Sequence, residues 1–305
     1  MAGALGAREP QRVIFDTDIG NDIDDALALA MLHAMESRGE VRLLAVTITK
    51  DNPWAPRAAS AIDTFYCRGS IPIGTVRNGV TRDDGTYNRV IADRHPHAEK
   101  FEEAVPLLRR TLETQPDASV VIVQVGFSTN LAALLGERGG RELAARKVKQ
   151  LVVMAGHFTD PAYREYNVKE DVAAAKKLFE EWPTEIVASG FEIGLHIKYP
   201  ARSIENDFAW TTRHPVVDGY RAYMKMPYDR ETWDLTAVLY AVRPSRGYFG
   251  LSSPGTVRVQ PRGETTFEPS AQGLHRFLTV DDVQRARILE VFLALAAEPA
   301  CYSRK

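Results

Sequence analysis

Short apolar runs that end in polar residues, each followed by an Ala- and Leu-rich stretch, recur along this chain. Val13-Ile14-Phe15, Val41 to Ile48, Ile71 to Val76, Ser119 to Val125, Lys149 to Ala155 and Glu185 to Gly190 carry the β-branched and aromatic residues of buried strands. The run Ser119 to Val125 is apolar on both faces, as a central parallel strand requires. Between the strands, Ala26 to Leu32, Ala58 to Tyr66, Glu102 to Glu113, Leu131 onward and Val172 to Trp182 read as helices; Val105, Leu108 and Leu112 mark one apolar face. Pro200 to Arg230 is helical and rich in aromatics, and Val283 to Ala297 closes the chain as an amphipathic helix. Thr256 to Phe267 alternates around Gly263-Glu264 and predicts an edge hairpin, while Arg77 to His97 has neither period and reads as a long surface loop. Ile71 to Val76 is a short strand with Pro72 at its edge. Strand and helix alternate throughout, which predicts an α/β fold: one open, mainly parallel sheet with helices on both faces, an N-terminal tail at 1–11 and a single domain at 12–305.

Composition narrows the partners. The 305 residues are 45% hydrophobic and 26% charged, with a net charge of −2, so there is no basic footprint for nucleic acid or an anionic membrane. No apolar run reaches the roughly 20 residues that span a bilayer. The partner is therefore expected to be a small molecule. The segment Met1 to Gln11 is too brief for a secretory signal, which predicts a cytoplasmic protein, or an exported one if a leader has been removed. Cys67 and Cys301 imply no disulfide framework and leave a single bridge open.

The chemistry concentrates after the first strand, in Asp16-Thr17-Asp18-Ile19-Gly20-Asn21-Asp22-Ile23-Asp24-Asp25. These acids sit on a strand-to-helix turn, at the edge of an α/β sheet where ligands bind. A helix dipole worth about 0.3 to 1 kcal/mol per charge cannot offset so many carboxylates. They must take up protons, stand in water or share a cation. Hard oxygen donors without Cys or His point to calcium or magnesium, and calcium is favoured for its tolerance of irregular oxygen shells.

The same stretch resembles the N-terminal signature of the nucleoside hydrolase family, the inosine-uridine-preferring N-ribohydrolases, whose usual form is Asp-x-Asp-Pro-Gly-x-Asp-Asp. Here Ile19 replaces the proline and two extra residues, inserted at Asn21 to Asp22 or Asp22 to Ile23, precede the pair Asp24-Asp25. Gly126-Phe127-Ser128-Thr129-Asn130-Leu131-Ala132, Glu165-Tyr166-Asn167 and Trp233-Asp234 resemble three later family segments, in order. The resemblance implies a Rossmann-like fold, a homo-oligomer (dimer or tetramer), a role in nucleoside salvage, and calcium-dependent hydrolysis of the N-ribosidic bond of nucleosides. It assigns Asp18 as general base and Asp18, Asp25, the Thr129 carbonyl and Asp234 as calcium ligands. Asp24, Asn52, Glu165, Asn167 and Asp234 would hold the ribose, with Trp233 against the base. An Asn-Pro turn accounts equally for Asn52, and a helix cap for Thr129.

Trp233 stands where many family members carry the His that protonates the leaving base, and resembles the purine-specific branch, so purine nucleosides are the expected substrates. Tyr228, Tyr223 and Trp54 are candidates for a second stacking wall; alternatively Trp233 is core and His214 supplies the acid. A haloacid dehalogenase-type phosphatase with Asp16 as nucleophile and Asp281-Asp282 as late acids, and a catalytically silent nucleoside- or sugar-binding protein, are the competing readings. Asp281 and Asp282 fit better as a helix cap.

Overall fold

A computed structural model describes residues 9–83, 85, 87–299 and 301. Its strands are β1 (Gln11–Thr17), β2 (Val41–Lys50), β3 (Ile73–Val80), β4 (Glu102–Glu103), β5 (Val120–Gln124), β6 (Val148–Met154), β7 (Ile186–Ser189), β8 (Lys198–Tyr199), β9 (Arg230–Glu231), β10 (Gly250–Leu251), β11 (Gly255–Val259), β12 (Thr265–Pro269) and β13 (His275–Thr279). The main sheet runs β12-β11-β13-β7-β6-β5-β1-β2-β3-β4, with β10 beside β13, while β8 and β9 form a separate ribbon. From β4 through β13 every neighbouring pair is parallel; β11, β12 and β10 add antiparallel pairs at one side. The expected α/β architecture with a mainly parallel sheet and an edge hairpin is what the chain adopts.

The pleat explains why these runs needed two-sided hydrophobicity. Val13 and Phe15 of β1, with Val121 and Val123 of β5, enter one core layer, whereas Ile14, Val120 and Ile122 enter the other. The first layer is covered by helices Asp24–Ser37, Ala55–Phe65, Trp233–Val242 and Asp282–Ala296, the second by Ala104–Glu113, Thr129–Gly136, Gly140–Lys147 and Val172–Glu181. Helix Asp24–Ser37 is buried from Asp24 to Met35, because it lies between the sheet and helices Trp233–Val242 and Asp282–Ala296. That leaves it no polar face and removes the usual helical periodicity.

Strand order leaves β1 in two directions, to β2 on one side and β5 on the other. Such a reversal opens a crevice at the carboxyl ends of the strands. The acid-rich turn after β1 and Gly126 after β5 flank that crevice.

Two local readings change. The segment Arg77 to His97 is not one loop: β3 extends to Val80, and Asn88–Arg94 is a helix whose Tyr87 and Ile91 pack against Gly219 of helix Pro215–Tyr223. A helix this short shows too few apolar positions for a period to emerge. The strand β3 begins at Ile73, directly after Pro72, and β4 pairs beyond it. β13, unrecognised in the sequence, lies between β7 and β11 and carries the hairpin of β11 and β12. Cys67, in the turn after helix Ala55–Phe65, forms a disulfide with Cys301. No helix among the described residues is long and apolar enough to cross a membrane.

The ends of β1 and β5 approach so closely that a Cβ on Gly126 would stand 2.5 Å from the Asp18 nitrogen and overlap Thr49 Oγ1. Gly126→Ala is expected to destabilise the protein by about 1 to 3 kcal/mol in urea unfolding, the usual cost of overpacking. Parental stability would contradict this close approach.

Candidate active site

Each acid of the turn after β1 meets a different environment. Asp16, still in the strand, is fully buried and takes hydrogen bonds from Thr47 Oγ1 and Asn130 Nδ2, which tie β1 to β2 and to the helix after β5. Burial pushes its carboxyl up to about 7. It has no access to the crevice and cannot serve as the nucleophile of a phosphatase. Asp281 likewise forms a capping box with Gln284 at the start of the last helix, so neither half of that alternative reading finds a site.

At Gly20 the chain turns with φ of +119°, a conformation that favours glycine. Tyr87 fixes the turn, accepting from the Gly20 N–H at 2.8 Å and donating to the Asp22 carbonyl at 2.6 Å. Asp22 points outward, where Tyr223 and Arg230 donate to its Oδ1. Its neighbours Asp24 and Asp25 open the helix and point inward. Together with Asp234 they bring carboxylate oxygens within 4.8 Å of one another. The Asp234 N–H donates to Asp24 Oδ2 at 3.0 Å, Thr17 Oγ1 donates to Asp25, and Asp24 Oδ1 is buried with no hydrogen-bond partner. Thus Asp24-Asp25, rather than Asp22, is the inward pair, and the extra residues loop out ahead of it.

Asp18, Asp25 and Asp234 share a small cavity with Asn21, Val125, Glu165, Asn167, Phe191 and Trp233. The cavity measures about 50 Å³, room for an ion and its water, and adjoins an outer cleft of about 590 Å³ through Asn21, Asp22 and Tyr166. A cleft of the outer size suits a small organic ligand. Removal from water pushes Asp18 and Asp24 up to about 7, and burial followed by repulsion from the other carboxylates raises Asp25 and Asp234 well above the ordinary range. An orphaned carboxylate oxygen inside a buried acidic triad is a donor set suited to a hard cation.

Glu165 caps the helix Tyr166–Glu170, accepting from the N–H groups of Asn167 and Val168, and also from Gly156. Burial raises its pKa to about 7. Asn167 donates from Nδ2 to the carbonyls of Val125 and Met154 at 2.7 and 3.1 Å. Both side chains line the cavity. Trp233 donates Nε1 to the Phe191 carbonyl and stacks on the Phe191 ring at 5.2 Å.

Two assignments move. Thr129 is the first residue of its helix, so its carbonyl runs along the helix axis, and its hydroxyl donates to Asp171. Val125, just past the end of β5, lines the cavity in place of Thr129, and its carbonyl accepts from Asn167 Nδ2. Asn52 is spent locally: Oδ1 accepts from Trp54 and Ala55 N–H groups, and Nδ2 donates to the Asp83 carbonyl. It behaves as the turn residue of an Asn-Pro corner and does not line the cavity.

The aromatic assignments also sort themselves. His214 is buried among Phe65, Tyr66, Phe208 and Trp210, caps its own helix through Nδ1, and is pushed down to about 3 by burial, so it stays neutral and away from the cleft. Tyr228 stacks on Tyr220, and Trp54 packs between Arg57 and Arg89. Tyr223 lines the outer cleft. Phe191 and Tyr166 complete the aromatic walls; they escaped the sequence reading, although Tyr166 lay inside a motif.

The chain matches the model of the family described as inosine-uridine preferring nucleoside hydrolase over residues 13–290. No protein of curated function matches it in sequence. Among solved structures it is similar to a plant nucleoside hydrolase (TM-score 0.75, 21% identity, 95% of this chain and 100% of that one). It is also similar to a purine-preferring ribonucleoside hydrolase from Gardnerella vaginalis (TM-score 0.77, 19% identity, 94% and 98%). An inosine-uridine preferring nucleoside hydrolase from Bacillus anthracis aligns with TM-score 0.71 and 18% identity over 94% and 99% of the two chains.

The raised carboxyls set a pH dependence. The folded chain holds protons that the unfolded chain releases above the ordinary carboxyl range near 4, so metal-free stability falls as pH rises from about 4 through about 7. In chelator the melting temperature is expected to drop between pH 5 and pH 8. Millimolar calcium should restore most of the loss at pH 8 and little at pH 5, and Asp25→Asn with Asp234→Asn should abolish that restoration. A calcium response independent of pH would contradict the cluster's role.

Proposed function

The chain belongs to the family of inosine-uridine preferring nucleoside hydrolases and is therefore an N-glycosyl hydrolase, and from that premise we propose that it hydrolyses the N-ribosidic bond of purine nucleosides in a calcium-dependent reaction. The observation that carries the proposal is a buried acidic triad whose cavity, shared with Asp18, opens past aromatic walls into a cleft.

Asp25 and Asp234 belong both to the triad and to the cavity wall, and would hold the ion with Asp18 and the Val125 carbonyl. When bound, calcium supplies a Lewis acid that makes a water easier to deprotonate and fixes ribose hydroxyls. Asp18 takes the proton from the attacking water. Asp24 stands behind the cavity wall with one oxygen unpartnered and would accept from a ribose hydroxyl, a contact that strengthens as positive charge develops on the sugar. Asn167, its Nδ2 committed to two backbone carbonyls, is left with Oδ1 for a second hydroxyl, and Glu165 bounds the sugar from the same segment. Trp233 and Phe191, with Tyr166, offer apolar faces to a departing base.

A wide base gains more from such walls than a narrow one, since stacking is worth about 1 to 3 kcal/mol per base. With Trp233 in place of an acid, the base is expected to take its proton from solvent. This supports inosine, adenosine or guanosine over uridine and cytidine.

Reducing-sugar release from a nucleoside panel, with and without chelator, tests the proposal. Asp18→Asn is expected to lower kcat by about 10² to 10⁴ while KM changes little, the signature of a lost acid-base group. Near-parental turnover in that variant would assign the water's proton to another group. Trp233→Ala should erode purine turnover and leave calcium binding, measured by calorimetry, intact. Equal hydrolysis of uridine by the parent enzyme would overturn the purine preference without touching the N-ribosyl chemistry.

A further inference from the structure

The turn that carries Asp18 is held by a cation that the reaction above does not use. Lys50, the last residue of β2, has a fully enclosed side chain. Its stem runs past Gly20, where a Cβ would stand 3.2 Å from Lys50 Cδ. The ammonium donates to Asn21 Oδ1 at 2.8 Å and to Asp83 Oδ1 at 2.9 Å. Asn21 Nδ2 donates in turn to Asp18 Oδ2 at 2.5 Å. Asp83 is itself fixed, since its carbonyl accepts from Asn52 Nδ2 at 2.6 Å and its carboxylate from the Gly85 N–H at 3.0 Å.

An ammonium only donates and an ionised carboxylate only accepts, whereas a carboxamide has one end of each kind. Placed between Lys50 and Asp18, the Asn21 amide satisfies both neighbours in one orientation. The flipped amide would set its NH₂ against the enclosed ammonium and its oxygen against the carboxylate, two repulsions at once. Asp18 already favours the donating end of the amide, and Lys50 favours the same orientation from the other side.

We propose that Lys50 is a positioning residue acting through Asn21: it selects the amide orientation that donates to Asp18 and so fixes the Asp18 carboxylate in the cavity wall. Asn21 belongs to the stretch lengthened relative to the usual family signature. This inference rests on the assignment of Asp18 as the base, and positioning errors of about 1 Å at a reacting group cost about 10²-fold.

The test compares Lys50→Met, Asn21→Ala and the double variant by steady-state kinetics on inosine, alongside a crystal structure of Lys50→Met. Each single variant is expected to lower kcat by about 10- to 100-fold with KM within about threefold. The double variant should lose no more than the worse single one, because both break the same chain of bonds. The crystal structure should show Asn21 no longer donating to Asp18. Lys50→Gln, which keeps a donor without the charge, covers the case in which Lys50→Met fails to fold and should retain part of the rate. Multiplicative losses, an unchanged kcat, or an Asn21–Asp18 bond that survives in Lys50→Met would overturn the inference. If Asp18→Asn retains turnover, the base assignment fails instead, and the crystal structure still decides the clamp because it reads the contact without turnover.

Discussion

Carboxylates that are brought together away from water repel one another and lose hydration, and a fold that gathers them must compensate at that point. Here the compensation shapes the whole carboxyl edge of the sheet. Asp24 and Asp25 sit in the first turn of a fully buried helix, where the N-terminal end of the helix dipole offsets part of their charge. Asp234 lies in the first turn of a second helix and donates its own N–H to Asp24. Two helix starts therefore converge on one cluster, and the charge that neither dipole offsets is what suits the cluster to a cation.

The acids around the cluster divide the work by their surroundings. Asp16 is structural: Thr47 and Asn130 bond it from the adjoining strand and helix, so three segments meet at the crevice with their backbones fixed. Asp22 is spent on Arg230 and Tyr223, which hold the outer lip of the turn. Asp18 lines the cavity beside Asp25 and Asp234 while keeping a neutral donor, Asn21, on one oxygen. Chemical type is the same in every case, and role follows from which neighbours the fold supplies.

The glycines at this edge act by what they leave out. Without a Cβ at Gly126, the end of β5 lies against the backbone of Asp18, which brings Val125 to the wall of the same cavity. Without one at Gly20, Lys50 and Asn88 close over the turn, and Asn88 Nδ2 donates to the Ile19 carbonyl at 2.8 Å. The aromatic side is assembled differently, from Phe191, Trp233 and Tyr166, residues far apart in sequence that meet because β7, the helix after β9 and the loop after β6 end at the same edge.

Periodicity in the sequence determined the α/β class and most of the parallel strands, since a strand buried on both faces must be apolar at every position and few other structures ask for that. The acid-rich turn was marked by its own crowd of carboxylates, and Glu165, Asn167 and Trp233-Asp234 by their resemblance to later segments of the family, because a local motif at a strand end keeps its meaning whatever surrounds it. What the sequence left open depended on direction and partnership. Whether Thr129 or Val125 lines the cavity is set by where the helix begins, and Asn52 was lost to the site because the turn it caps engages both ends of its amide. The remoteness of His214, the place of β13 between β7 and β11, and the pairing of Cys67 with Cys301 required the packed chain. Tertiary structure alone decided them, because each depends on the distance between residues that the sequence separates by tens or hundreds of positions.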